Sequence, residues 1–99
     1  KLIAKNNTKI SDINHMTHLT HLHATEKDSK IDDNSISKLN LVHLNARNNP
    51  NITSVKHMNK LTCLYATHAC GINDDGIYGL KIRELHSNGN NKITRSSEY

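Results

Sequence analysis

The feature that most constrains this chain is that it repeats. The pattern Leu-x-x-Leu-x-Ala occurs at Leu19, Leu22 and Ala24, at Leu41, Leu44 and Ala46, and at Leu61, Leu64 and Ala66, with a looser copy at Ile82, Leu85 and Ser87. Leu2 and Ala4 fill the second and third slots of a copy that opens near residue 1. Successive full starts lie 22, 20 and 21 residues apart, and an Ile returns after every strand motif, at Ile10, Ile31, Ile52, Ile72 and Ile93. A period of this size marks a stack of units, each too small to bury its own apolar face. The expectation is a single domain over 1–99 with about five repeats, starting near 1, 19, 41, 61 and 82. Neither end shows a capping repeat, so the chain reads as a piece of a longer array whose uncapped ends invite self-association.

Composition points the same way. Of 99 residues, 34% are hydrophobic, with 10 Leu, 10 Ile, two Val and three aromatics, all Tyr. A conventional globular core would be poorly filled from that supply, whereas a column of recurring slots uses it economically. No apolar run approaches 20 residues and no basic-then-apolar leader opens the chain, so neither a membrane span nor a signal peptide is expected. Two cysteines seven apart make no disulfide framework, and unpaired thiols favour an intracellular, reducing compartment. Thirteen basic residues against nine acidic give +4 with His neutral, dispersed along the chain, which does not point to nucleic acid. Eight His carry that charge towards +12 when all are protonated. The 14 Asn are an excess for which genomic base composition is the simplest expected source.

A second periodicity overlies the first. The first and third repeats share Asn-Asn-x-x-Ile-x-x-(Ile/Val)-x-His-Met, as Asn6-Asn7 to His15-Met16 and Asn48-Asn49 to His57-Met58, and Asn90-Asn91-Lys92-Ile93-Thr94 begins another. The second and fourth read Ile-x-Asp-x-x-Ile-x-x-Leu, as Ile31 to Leu39 and Ile72 to Leu80, where the fourth has Asp74 in the Asp slot and Ile77 in the following Ile position. Apolar residues every three positions in the odd returns (Ile10, Ile13, Met16, Leu19) suit a 3₁₀ or extended segment. The even returns suit a short helical turn with Asp74 or Asp75 at its N-cap.

The order Leu-x-x-Leu-x-(Leu/Ala), Asn, Ile-(Thr/Ser)-Asp at a period of 20 to 22 resembles leucine-rich repeat proteins over essentially the whole chain. The odd repeats are similar to the internalin type and the even ones, with Cys70, to the cysteine-containing type. Ala in place of the third strand Leu, and one extra residue between Asn and Ile in the odd repeats, are departures from those patterns. The resemblance implies an α/β fold: a right-handed solenoid with a parallel β-sheet on one face and short 3₁₀ or helical return segments. It also implies a buried Asn bonding the turn backbone at Asn7, Asn49 and Asn90, with Cys70 buried near the matching place.

Alternation along the strand motif turns Leu22 and Ala24 inward and His21, His23 and Thr25 outward. Stacking then lines up three outward columns: Lys1, His21, His43, Cys63, Glu84; Ile3, His23, Asn45, Tyr65, His86; and Lys5, Thr25, Arg47, Thr67, Asn88. This strand face is where such proteins commonly grip a partner. The candidate partner-binding residues are His21, His23, His43, Asn45, Arg47, Tyr65, Glu84 and His86, with Tyr65 as anchor because aromatic and Arg side chains dominate binding hot spots.

Other chemistry is less well served. His21, His23, His43 and Cys63 are metal-ligand types, but a flat ladder splays them and no CxxC or HExxH spacing supports a site, so no metal or cofactor is expected. Cys63 is the thiol on the open face, with His43 and His86 as bases only by accident of stacking, and no catalytic residue is assigned. His15 and His57 precede Met16 and Met58 and read as partly buried structural residues. Asp32-Asp33 and Asp74-Asp75 lack alternating oxygen donors for calcium and read as turn and cap residues. The expected function is therefore non-enzymatic: a protein-interaction module working through the strand face. The alternatives are a scaffold fragment that stacks end to end and a histidine-dependent metal- or pH-responsive binder.

Overall fold

Each Leu-x-x-Leu-x-Ala copy contributes one very short strand. The computed structural model describes residues 1–4 and 10–95, and in it β1 (Leu2–Ile3), β2 (His21–His23), β3 (His43–Asn45), β4 (Cys63–Tyr65) and β5 (Glu84–His86) form one sheet. The strands lie in chain order, every neighbouring pair is parallel, and Leu22, Leu44, Leu64 and Leu85 fall in register. Parallel neighbours cannot be joined by hairpins, so each connection must leave the sheet, pass behind it and return. In β2, β3 and β4 the ladder keeps the three residues that immediately precede the Ala of the motif.

The apolar slots stack into one core. Leu22, Leu44 and Leu64 are fully buried, as are Ala24, Ala46 and Ala66 one step further along and the return residues Ile31, Ile52 and Ile72 behind them. Ala is small enough for the return to lie close against the strand, and a Cβ on Gly71 would sit 2.4 Å from the Pro50 carbonyl oxygen. Gly76 is under similar pressure, with Thr53 O at 2.1 Å from such a Cβ, whereas Ser35 occupies the matching place one pair of coils earlier.

The two return types differ as their spacing predicts. In the even coils, Asn34–Ile36 and Asp75–Ile77 each form a single 3₁₀ turn, the helical elements among the described residues. In the odd coils, consecutive three-residue turns close through Met16 N–H to Ile13 O and Leu19 N–H to Met16 O, and again through Met58 to Val55 and Leu61 to Met58. The cap expectation holds at Asp32, whose Oδ1 accepts the Ser35 N–H at 3.0 Å, and needs correction at Asp74. Asp74 sits at the N-cap but its carboxylate does not cap the turn, and Asn73 Oδ1 accepts the Gly76 N–H instead. Asp74 reaches across to the next coil, where it accepts the Thr94 N–H at 2.9 Å and the Thr94 hydroxyl at 2.6 Å. Asp33 does the same for Thr53, and also accepts the Ser54 N–H. Two donors from Thr hold the Asp74 carboxyl below its ordinary value.

After β2, β3, β4 and β5 the chain turns a sharp corner through one left-handed residue, Glu26, Asn48, His68 and Gly89 in turn, with φ of 77°, 61°, 59° and 76°. Inside that corner lies the Asn of the odd coils. Asn49 donates to the carbonyls of Ala24 and Ile31 in the preceding coil and accepts the Asn51 N–H, and Asn90 repeats the arrangement with Ala66, Ile72 and Lys92. Both are buried, as the resemblance implied; Asn7 lies outside the described residues. In the even coils Ser29 and Cys70 occupy the corner, both buried, and Ser29 Oγ accepts the Ile31 N–H.

The outward columns need two further corrections. His21 aligns with His43, Cys63 and Glu84, and Ile3 with His23, Asn45, Tyr65 and His86. The third column lies beyond the ladder at the corner, so Thr25 and Thr67 are buried there and only Arg47 and Asn88 are exposed; Lys5 lies outside the described residues. Cys63 is also buried, not open, because a strand flanks it on either side. His15 and His57 are exposed rather than partly buried, although the His57 ring still lies 3.2 Å from the Ile36 carbonyl of the preceding coil.

The buried amide makes a sharp test of this packing. Asn49→Ala strands two buried carbonyls and one N–H, and should lower stability by about 3 kcal/mol, since each orphaned buried polar group costs roughly 1–3 kcal/mol. The exposed Asn91→Ala should stay within about 0.5 kcal/mol of the parent. Urea unfolding followed by circular dichroism compares the two, and equal midpoints would show that the corner amide does not hold the coils.

Candidate functional site

Because the ladder is parallel and unshifted, rings at outward positions of neighbouring strands stand side by side about one strand spacing apart. His21 and His43 stack with centroids 5.3 Å apart and planes 13° apart, and His23 packs on the same His43 ring at 5.7 Å and 18°. His43 meets Tyr65 at 5.8 Å in a tilted contact, and Tyr65 stacks on His86 at 4.2 Å and 9°. Five rings from four strands thus form one continuous row. Their faces are turned towards each other, so their edges, which carry the imidazole nitrogens and the phenol oxygen, are what a partner meets.

Of the eight candidate residues, the row unites five: His21, His23, His43, Tyr65 and His86. Asn45 lies between His23 and Tyr65 in register, and its Oδ1 accepts the Arg47 N–H at 3.1 Å, so part of its hydrogen-bonding capacity is spent on the corner. Arg47 is exposed at that corner, where it lines a hollow of about 190 Å³ with Ile3, His23, Thr25, Glu26 and Asn45. Glu84 lies on β5 against Cys63 and Arg83, two strands from His43, on whose charge it still acts. Two contributors escaped the sequence reading. Thr20 lies before the strand, and its hydroxyl is 2.9 Å from His21 Nδ1. Glu26 enters the hollow because it takes the left-handed corner conformation, for which a Glu offers no sequence signal.

Packing sets the charge of the row. The His23 imidazole is held below its ordinary value by burial first, then by Lys1 and His21. His43 is lowered by burial, then by His21, His23 and Lys1, with Glu84 opposing. Burial and the neighbouring Glu84 push the Cys63 thiol up to about 11, which leaves little thiolate at neutral pH and makes it a poor nucleophile. Burial likewise takes Cys70 to about 11. Among the described residues no group of three or more His, Cys, Asp or Glu is disposed to hold a metal ion, and no helix is long and apolar enough to cross a membrane.

No family model matches this chain, and neither a curated protein nor a solved structure matches it.

The depressed imidazoles link stability to pH. With folded values below the unfolded one of 6.5, the unfolded chain binds more protons between the two, so stability is full above that window and falls as pH drops through it. The thermal midpoint should decline from pH 7 to pH 5, and decline less in His43→Asn. An identical pH slope in parent and variant would mean that ring packing is not what depresses these groups.

Proposed function

We propose that the chain is a right-handed leucine-rich repeat solenoid whose strand face is a non-enzymatic docking surface for a protein partner. The solenoid reading is supported by five in-order parallel strands, by Leu at one register position in every coil, and by the paired odd and even returns. The handedness follows from the strong preference of parallel crossovers for the right-handed form. The observation that carries the functional reading is the ring row. Five rings pre-stacked on rigid strands have little side-chain freedom left to lose on association, and that loss is a main cost of forming an interface. Tyr65 sits inside the row and Arg47 at its margin, the two residue types most enriched among binding hot spots.

The competing reading is end-to-end stacking of coils. Its support is the first coil, where Leu2, Ile10, Met16 and Leu19 are only partly covered and Ile3 is 60% exposed. Affinity capture from a lysate separates the two, using the parent chain, the Tyr65→Ala/Arg47→Glu variant and a return-side control, Lys56→Glu. Loss of a hot-spot residue costs about 2 kcal/mol or more, roughly a thirtyfold loss in affinity, so the double variant should release the partner while the control keeps it. Capture that survives the double variant, or that yields only further copies of the chain, overturns the strand-face reading.

A further inference from the structure

The ring row is chemically uneven: three of its four histidines stand at the β2–β3 end, whereas His86 and the neighbouring acid Glu84 lie on β5. We propose that the imidazoles of His21, His23 and His43, together with Lys1 and Arg47, form a docking site for an acidic, extended polypeptide segment, which binds with uptake of protons. This inference rests on the strand face being the partner surface, and adds the chemistry of the partner.

His43 links the cluster, its ring stacking on both β2 imidazoles, His21 at 5.3 Å and His23 at 5.7 Å. The stacked faces leave ring edges for a ligand, and an imidazole edge that offers one N–H when neutral offers a second when protonated. On His21, Nδ1 is already engaged with the Thr20 hydroxyl, which leaves Nε2 for the partner. In an extended chain alternate side chains lie about 7 Å apart on one face, so two carboxylates at alternate positions can span the three imidazoles.

The charges around the cluster complement an anion. Lys1 approaches from the β1 side, closely enough to act on both His23 and His43, and Arg47 flanks His23 across the hollow. Two acids face this region. Glu26 already accepts a hydrogen bond from the Asn48 amide, and Glu84 is two strands away beyond a Cys63 thiol that stays uncharged. Tyr65 and His86 stack on each other beside the cluster and supply no negative charge at neutral pH. Burial, then His21 and Lys1, thus disfavour charge on His23 and His43, with only Glu84 opposing at His43, and a carboxylate ligand supplies the further counter-charge these two rings need. Binding raises their proton affinity, so affinity grows as pH falls through their bound-state values and levels off below their free-state values.

Peptide is favoured over single-stranded nucleic acid by the same geometry. Bases bind by stacking on exposed aromatic faces, and in this row the faces between neighbouring strands are turned to one another, which leaves outer faces only on the terminal rings.

The test uses the intact chain and fluorescein-labelled (Asp-Ser)5 peptide, with (Asn-Ser)5 and a dT10 oligonucleotide as comparators, at pH 7.5, 6.5 and 5.5 and constant ionic strength. The dissociation constant for the acidic peptide should tighten at least tenfold from pH 7.5 to 5.5, about tenfold for each imidazole whose value rises by one unit. Calorimetry in buffers of different ionisation enthalpy should show proton uptake. His23→Asn/His43→Asn should lose the pH dependence, and NMR titration of the parent imidazoles, which needs no variant, should move to higher pH with the peptide present. Binding that ignores pH, imidazole titrations that do not move, or no binding at pH 5.5 overturns the proposal; equal or tighter binding of dT10 replaces the peptide site with a general polyanion surface. If the acidic probe fails while a Tyr65-dependent partner is still captured, only this inference falls and the strand-face reading stands.

Discussion

The buried amide at the coil corner is the contact on which the rest of the structure depends. Asn49 and Asn90 each bridge a strand-end carbonyl and a return-segment carbonyl of the preceding coil, two groups that would otherwise be buried without partners. That bridge sets the width of the coil at its tightest point and couples each odd coil to the even one before it. Even coils place Ser29 or Cys70 there, smaller groups that do not reach back to the preceding coil in the same way. The structural unit is therefore the pair of coils, which is why the sequence alternates. The Asp33–Thr53 and Asp74–Thr94 clamps follow the same two-coil rule, running from an even coil to the odd coil after it.

With the coils locked at this corner and clamp, the strand register cannot slip, and the outward rings have no choice but to meet. His21 over His43 and Tyr65 over His86 are consequences of an unshifted parallel ladder carrying rings at equivalent slots. Stacking orders the face and covers it with ring edges instead of ring planes. It also takes water from His23 and His43, and the depressed proton affinity of these two imidazoles is the electrostatic trace of that packing.

The columns were legible in the sequence because one Leu per coil marks the register, and the alternation of a strand then assigns each neighbour to a face. Where that logic failed, the cause was a contact the one-dimensional pattern does not carry. Asp74 beside a 3₁₀ turn has the local signature of a cap, but a Thr placed 20 residues later competes for its carboxylate and offers two donors where the turn offers one. Thr25 and Thr67 follow the outward alternation, yet the chain leaves the ladder at the next residue by a left-handed corner and carries them into cover. Glu26 does not announce that corner, whereas Gly89, and more weakly Asn48 and His68, are residue types that tolerate the left-handed conformation. Several of the Asn first attributed to base composition have structural work: Asn14, Asn40 and Asn48 each accept a backbone N–H from a neighbouring coil or corner.

A core this poor in large apolar groups also explains why the exposed face is built from histidine and tyrosine. Leu or Phe at those slots would add contact area, but a continuous apolar stripe would recruit other chains without discrimination. Imidazole supplies a flat ring for packing across coils and a polar edge that remains hydrated, so order is gained without that stripe. The cost falls on protonation: a ring packed on other imidazoles resists its charge, and His43, stacked on both His21 and His23, resists it against both. The arrangement that stiffens the face therefore also makes its charge dependent on what is bound to it, and a face assembled from isolated histidines would have neither property.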